Sequence, residues 1–218
     1  MNPPKSSKAV AETRRALIHA ARDVFAENGF EGARVDRIAD QAGVNKALIN
    51  YHFGGKAELF AAIMEDFAEK VAKNLRDFIN PEAPADSQLR CFVRHMGQAV
   101  AEHPEFPRLI IFMALRAKTL PPKPPPPILL VLKTLRMILE KGRREGSFKT
   151  INPIFAHMHI MSSLAMYHIT RPVREKFPEL TAIPGEDYSV TAFYEFVEDQ
   201  ILSGFALPPD QDQHPNRN

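Results

Sequence analysis

Asn45, Lys46, Ala47, Asn50 and Tyr51 fall within seven residues of the chain and set hydrogen-bond donors beside one small side chain. A helix with that face can enter the major groove of duplex DNA, where each base pair presents its own pattern of donors, acceptors and methyl groups. Val44, Leu48 and Ile49 interleave with them at helical spacing and would anchor the opposite face. Such a helix needs a scaffold to hold it in place, and the residues just before it supply one. Val35, Ile38, Ala39 and Ala42 mark a first amphipathic helix, and Gly43 stands where it should stop, because glycine adopts a left-handed cap without steric cost. Asn45 is placed to cap the second helix through its side-chain oxygen. Residues 35–53 therefore read as helix, tight turn and short helix, a unit built to read DNA.

The flanks complete a small head. Leu17, Ala20, Ala21, Val24 and Phe25 form one stripe of a preceding helix that should end near Asn28-Gly29. Gly54-Gly55 makes a turn after the unit, and Lys56 opens a long periodic segment. The run AARDVFAENGFEGARVDRIADQAGVNKALINYHFGGKAELF resembles the tetracycline-repressor (TetR) family of bacterial transcription regulators. Gly29-Phe30, Ile38-Ala39, Ala42-Gly43-Val44, Tyr51-His52-Phe53 and Lys56 match that family's pattern in order, and the resemblance covers roughly the first 60 residues. It implies an all-α fold: an N-terminal three-helix helix-turn-helix DNA-binding head, then a larger helical ligand-binding and dimerisation body. Carried onto this chain, it makes Lys56 a phosphate contact at the start of the long helix. Arg34, Asn45, Lys46, Ala47, Asn50, Tyr51 and His52 complete the expected DNA-binding set, while Phe53 is expected to pack the head.

Two positions depart from the family. A hydroxyl residue is usual at Ala33 or Arg34, so Arg34 is expected to take over the phosphate contact through its charge. An aromatic residue is common at Asn50; asparagine can instead pair bidentately with adenine, so base preference does not transfer from relatives.

Composition sets bounds without pointing to DNA. The 218 residues carry a formal charge of +2, and residues 1–60 hold nine Lys/Arg against seven Asp/Glu, so the argument rests on pattern and on where Arg34, Lys46 and Lys56 sit. Cys91 is the only cysteine, which excludes an internal disulfide and a thiolate zinc cluster. No apolar run approaches a membrane span and MNPPKSSKAV lacks a signal-peptide core, so the expected location is cytoplasmic, with no membrane partner.

The expected organisation is a flexible arm at 1–10, the DNA-binding domain at 11–57, the helical body at 58–206 and a disordered polar tail at 207–218. In the body, Leu59, Ile63, Phe67, Val71, Leu75 and Phe78 run along one long helix that Asn80-Pro81 stops. Asp86 or Ser87 can cap a helix with the stripe Leu89, Phe92, Val93, Met96 and Val100, and 106–117 reads as a buried helix. The proline run 121–127 lacks backbone donors and is expected to be extended, either as a rigid connector or as a PxxP docking segment. Helices over 128–144, 153–170 and 188–205 follow.

The resemblance implies a small-molecule pocket in the body and a pairing of its last two long helices across a two-fold axis. Phe112, Met113, His157, Met158, His159, Met161, Met166, Tyr167 and His168 are the adaptable apolar or polar candidates for a pocket, with an ordinary core containing satisfied histidines as the alternative. Arg116 is either a contact for an anionic ligand group or a solvated helix end. Ser162 and Ala165 permit close helix approach, and Phe193, Val197 and Ile201 form a stripe that could face a partner subunit. No cofactor, metal site or enzymatic motif is implied: there is no paired-carboxylate, HExxH or phosphate-cradling glycine pattern. The expected partners are a palindromic double-stranded DNA operator, a small-molecule effector of unknown identity and a second copy of the chain. The expected function is a repressor relieved by ligand, with an activator of the same fold or a non-specific DNA-binding scaffold as alternatives.

Overall fold

The computed structural model describes residues 7–114 and 126–207, and among them every regular element is helical. In order these are α1 (Ser7–Gly32), α2 (Val35–Gln41), α3 (Ala47–Phe53), α4 (Lys56–Phe78), α5 (Ala85–Glu102), α6 (Phe106–Ala114), α7 (Pro126–Glu145), α8 (Pro153–Ile169), α9 (Arg171–Lys176) and α10 (Val190–Phe205), with a 3-10 turn at Pro178–Leu180. None of these helices is long and apolar enough to cross a membrane. The described residues form two compact units, those within 1–73 and 100–128 and those within 74–99 and 129–218.

The first unit is built on the stripes expected from the sequence. Leu17, Ala21, Val24 and Phe25 of α1, Ile38 and Ala39 of α2, Ile49 of α3, and Leu59 and Ile63 of α4 share one buried cluster. Burying each large side chain contributes roughly 1.5–3 kcal/mol. Phe25 stacks on Phe30 at 5.8 Å and meets Phe60 edge-on at 5.1 Å, so three rings lock α1 to α4. The cluster also takes Phe106 and Leu109 from α6, far away in sequence. Phe106 stacks on Phe67 at 3.7 Å, and Arg22 meets Glu105 at 2.9 Å, an ionic contact off the angle of a hydrogen bond. Gly29 takes a positive φ of 66°, breaking the path of α1 at the expected place before one last turn resumes.

In the second unit the buried stripes are Leu89, Phe92, Val93 and Met96 on α5, Val131, Leu135 and Ile138 on α7, Ala156, Ile160 and Leu164 on α8, and Val197, Ile201 and Phe205 on α10. Glu198 of α10 is only 2% exposed and is held by Arg94 at 2.9 Å and Arg90 at 3.2 Å from α5. A carboxylate so buried is tolerable because both its oxygens are charge-paired. Asn152 caps α8, accepting from the Ile154 and Phe155 amides, with Pro153 where its missing N–H costs nothing. A single bridge between Phe148 and Ala206 ties the end of α10 to the α7–α8 loop.

Several expectations are corrected. Pro126 and Pro127 open α7 rather than extend the proline run, because first-turn amides have no intrahelical acceptor to lose. Asp86 and Ser87 lie inside the first turn of α5, where the Pro84 carbonyl accepts from the Gln88 amide. The last helix starts at Val190, capped by Ser189, whose hydroxyl accepts from the Ala192 amide at 3.2 Å. The short α9 and the 3-10 turn carry no buried residue and hence no apolar period by which to find them. Residues 1–6, 115–125 and 208–218, which include Arg116 and most of the proline run, lie outside the described residues.

Candidate nucleic-acid interface

Helix α3 is anchored from one side and open on the other. Ile49 is fully buried, and Val44, Leu48 and Phe53 pack against the same cluster. Gly43 turns the chain at φ 66°, and Gly54 closes α3 at φ 94° with its amide on the Asn50 carbonyl. Lys46 already has helical dihedrals (φ −55°, ψ −29°), and the effective cap is Asn45, whose Oδ1 accepts from the Ala47 amide at 2.8 Å. The cap expected from the sequence is therefore in place, and it also fixes the side chain of Asn45, one of the candidate DNA contacts.

The open face carries the expected residues. Asn45, Lys46, Ala47, Asn50 and Tyr51 are all exposed, and Tyr51 reaches 74%. His52 is half-buried and packs edge-on against Tyr51 at 5.0 Å. Arg34, exposed in extended backbone, precedes α2 and makes no cap hydrogen bond. Arg37 is spent on Glu27 at 2.7 Å, which leaves Arg34 as the open cation at that end of α2.

Two of the cations have intramolecular partners. Lys46 pairs with Asp36 at 3.0 Å, both exposed, so the pair ties α3 to α2 weakly and can open to a phosphate at little cost. Lys56 donates to the Glu31 carbonyl at 3.3 Å and lies 4.8 Å over the Phe30 ring. Its charge is thereby fixed at the edge of the head as well as used in holding α4 to the end of α1. Arg14 of α1 was not among the expected contacts, yet its guanidinium sits 5.2 Å over Phe53 and brings a cation to the end of α3. The Arg14-Arg15 pair is the only trace of it in the sequence.

The body candidates divide: His159, Met166 and Tyr167 line one groove between α8 and α10, whereas His157, Met158, Met161 and His168 do not. His168 is buried and its Nε2 lies 2.7 Å from the Tyr194 hydroxyl, which itself donates to the Gly97 carbonyl at 2.8 Å. The hydroxyl hydrogen being used, the imidazole must donate through Nε2. His168 is thus a satisfied core histidine, and burial, then the charges of Arg171 and Arg174, hold it below the usual range. Tyr167 stacks on Phe193 at 4.5 Å and donates its hydroxyl to the Tyr188 carbonyl. His157, depressed by burial, and Met161 are half-buried on one side of α8. Phe112 and Met113 lie in α6, but their side chains, like Arg116, fall outside what is described.

The proposed subunit face also shifts. Val197 and Ile201, 3% and 0% exposed, are core residues of their own unit and cannot be the outward stripe. Ser162 is exposed, whereas Ala165 and Phe193 are half-buried. The outward apolar residues include Ile154, Phe155, Met158 and Met166 on α8 and Phe196 on α10, and Met166 and Phe196 line a groove of about 640 Å³ between the two helices.

Residues 17–63 match the model of the tetR family of bacterial regulatory proteins. The HTH-type transcriptional regulator RutR of Escherichia coli (strain K12) is 30% identical over 105 residues, covering 48% of this chain and 49% of RutR. The chain thus spans about half the length of the curated relatives it first matches. The HTH-type transcriptional repressor NicS of Pseudomonas putida is 28% identical over 200 residues, 88% of this chain and 92% of NicS. The crystal structure of the transcriptional regulator FadR from Bacillus subtilis in complex with stearoyl-CoA superposes with a TM-score of 0.65 at 19% identity, over 88% of this chain and 98% of FadR. Residues 17–63 thus carry the helix-turn-helix segment of the tetR family of bacterial regulatory proteins, and the chain shares its helical fold with FadR.

Proposed function

We propose that the chain is a sequence-specific DNA-binding transcriptional regulator acting in the cytoplasm as a homodimer. In this reading it is a repressor that a small molecule in the helical body releases from a palindromic operator. The observation that carries it is α3, buried through Ile49 and open through Asn45, Lys46, Ala47, Asn50 and Tyr51. The name of NicS as a repressor and the stearoyl-CoA held by FadR support repression and an effector. The exposed apolar faces of α8 and α10 support pairing between copies.

Two heads joined by a two-fold axis can occupy successive major grooves, about 34–36 Å apart, each reading half of a palindrome. A ligand that prefers a different head spacing then weakens DNA binding, and DNA must weaken ligand binding by the same factor. The test is selection of bound duplexes from a random library by the full chain. Enrichment of a palindrome with half-site centres one helical turn apart, or a multiple of it, is expected. Enrichment of no sequence at moderate salt overturns the specific-reader assignment. Once an effector is found, unchanged ligand affinity at saturating operator overturns the coupling.

A further inference from the structure

On the second unit, α7, the α7–α8 loop and the start of α8 enclose a groove of about 800 Å³ that shares no residue with the effector candidates above. Its apolar lining comes from Leu132, Leu139, Ile151, Pro153 and Ile154. The same groove is lined by five cations, Lys133, Arg136, Arg143, Arg144 and Lys149, against the single carboxylate of Glu140. Arg136 and Glu140 neutralise each other at 2.7 Å, which leaves four cations. All four are exposed and have no ion-pair partner among the described residues. The residual field is felt locally: Glu140 is held below the usual carboxylate range by Arg136 first, with Arg144 and Arg143 adding to it.

Cations gather at helix C-termini because the macrodipole favours them, and that accounts for Arg143 and Arg144 in the last turn of α7. It does not account for Lys133, three turns earlier, or for Lys149 beyond the helix end. Four like charges beside an apolar lining repel one another when nothing neutralises them. The complementary occupant has an apolar body and an anionic head, and the volume lies within the usual range of ligand sites.

We propose that this groove binds an amphipathic anion, an alkyl chain along Leu139 and Ile154 with its phosphate or carboxylate between Arg143, Arg144 and Lys149. Ion pairing supplies selectivity for charge, and chain burial supplies affinity. The site does not depend on the operator or on the effector-release reading, because its test is direct binding.

Calorimetric titration of the full chain would use decyl phosphate and decanoate below their micelle concentrations, decan-1-ol, and inorganic phosphate. The expected result is one molecule of decyl phosphate or decanoate per chain, with decanol and inorganic phosphate each at least tenfold weaker. The stronger of the two anions identifies the head group. The double variant R143E/R144E, altered only at exposed side chains, should lose at least tenfold in affinity while keeping its circular dichroism. Ile154→Asp should do the same through the alkyl chain. Wild-type affinity in R143E/R144E overturns the site, as does inorganic phosphate binding as tightly as decyl phosphate. If no amphiphile binds but R143E/R144E weakens retention of random duplex DNA, the patch is a nucleic-acid surface and the proposal fails.

Discussion

At the scale of single residues, the head divides its side chains between those that hold α3 and those that α3 leaves open, the proposed readers. The Asn50 side chain has no structural duty among the described residues: it is exposed and makes no hydrogen bond, while its carbonyl accepts from Gly54. Asn50→Ala should therefore leave the urea midpoint unchanged within about 0.5 kcal/mol. If Asn50 pairs with a base, the same change should cost about 1–3 kcal/mol on the selected operator and relax preference at one position. Equal losses on operator and random duplexes would assign it to the backbone instead. This separation was legible from the sequence, since Gly43, Asn45 and the buried spacing of Ile38 and Ile49 fix which side of α3 faces out. The partners of the cations were not legible. Asp36 opposite Lys46 and the Phe30 ring under Lys56 follow from tertiary placement that no local spacing encodes.

At the scale of elements, close approaches govern the second unit. A Cβ placed on Gly142 of α7 would lie 2.0 Å from the Phe148 ring, which is buried and whose backbone is bridged to Ala206. Gly142→Ala should destabilise by about 1–3 kcal/mol through overpacking, read as a lower denaturation midpoint, and Phe148→Leu should restore part of it. The tie joining His168, Tyr194 and Gly97 links α8, α10 and α5 and contributes to the pH dependence expected of that unit. His168 is depressed when folded, so the unfolded chain takes up its proton first; stability is full above the ordinary value of 6.5 and falls as pH drops below it. Burial pushes Tyr194 up to about 12, so stability is full below 10 and falls as pH rises from 10 toward 12. His168→Gln should flatten the acid limb of a midpoint-against-pH profile in part, because His157 is also depressed by burial. Tyr194→Phe should flatten the alkaline limb. Long amphipathic helices such as α4, α5 and α7 could be read from period alone. The inward rotation of α10 could not, because Phe193, Val197 and Ile201 are equally compatible with a core and a subunit face until Glu198 is seen locked to Arg90 and Arg94.

At the scale of the whole molecule, the proposed dimer must form on side chains that a single copy leaves uncovered. Phe155 and Met158 qualify at 69% and 64% exposure, on the same side of α8 as Ser162 and Met166. Substituting aspartate at both costs one copy little, because neither side chain is part of the core. Across a two-fold axis the same pair would bring four carboxylates into an apolar contact, where burial of unpaired charge is strongly unfavourable. F155D/M158D should therefore sediment as a monomer with unchanged circular dichroism, whereas Ile201→Asp should unfold the unit outright. Losing the second head removes the avidity of a linked pair, so operator affinity should fall by about 10²–10⁴-fold. The salt dependence should fall to roughly half its slope, because half the phosphates are contacted. A dimer persisting in F155D/M158D would move the subunit contact to another surface. A monomer that keeps full operator affinity would mean that one head suffices, against the expectation that a single module buries too little surface for tight binding.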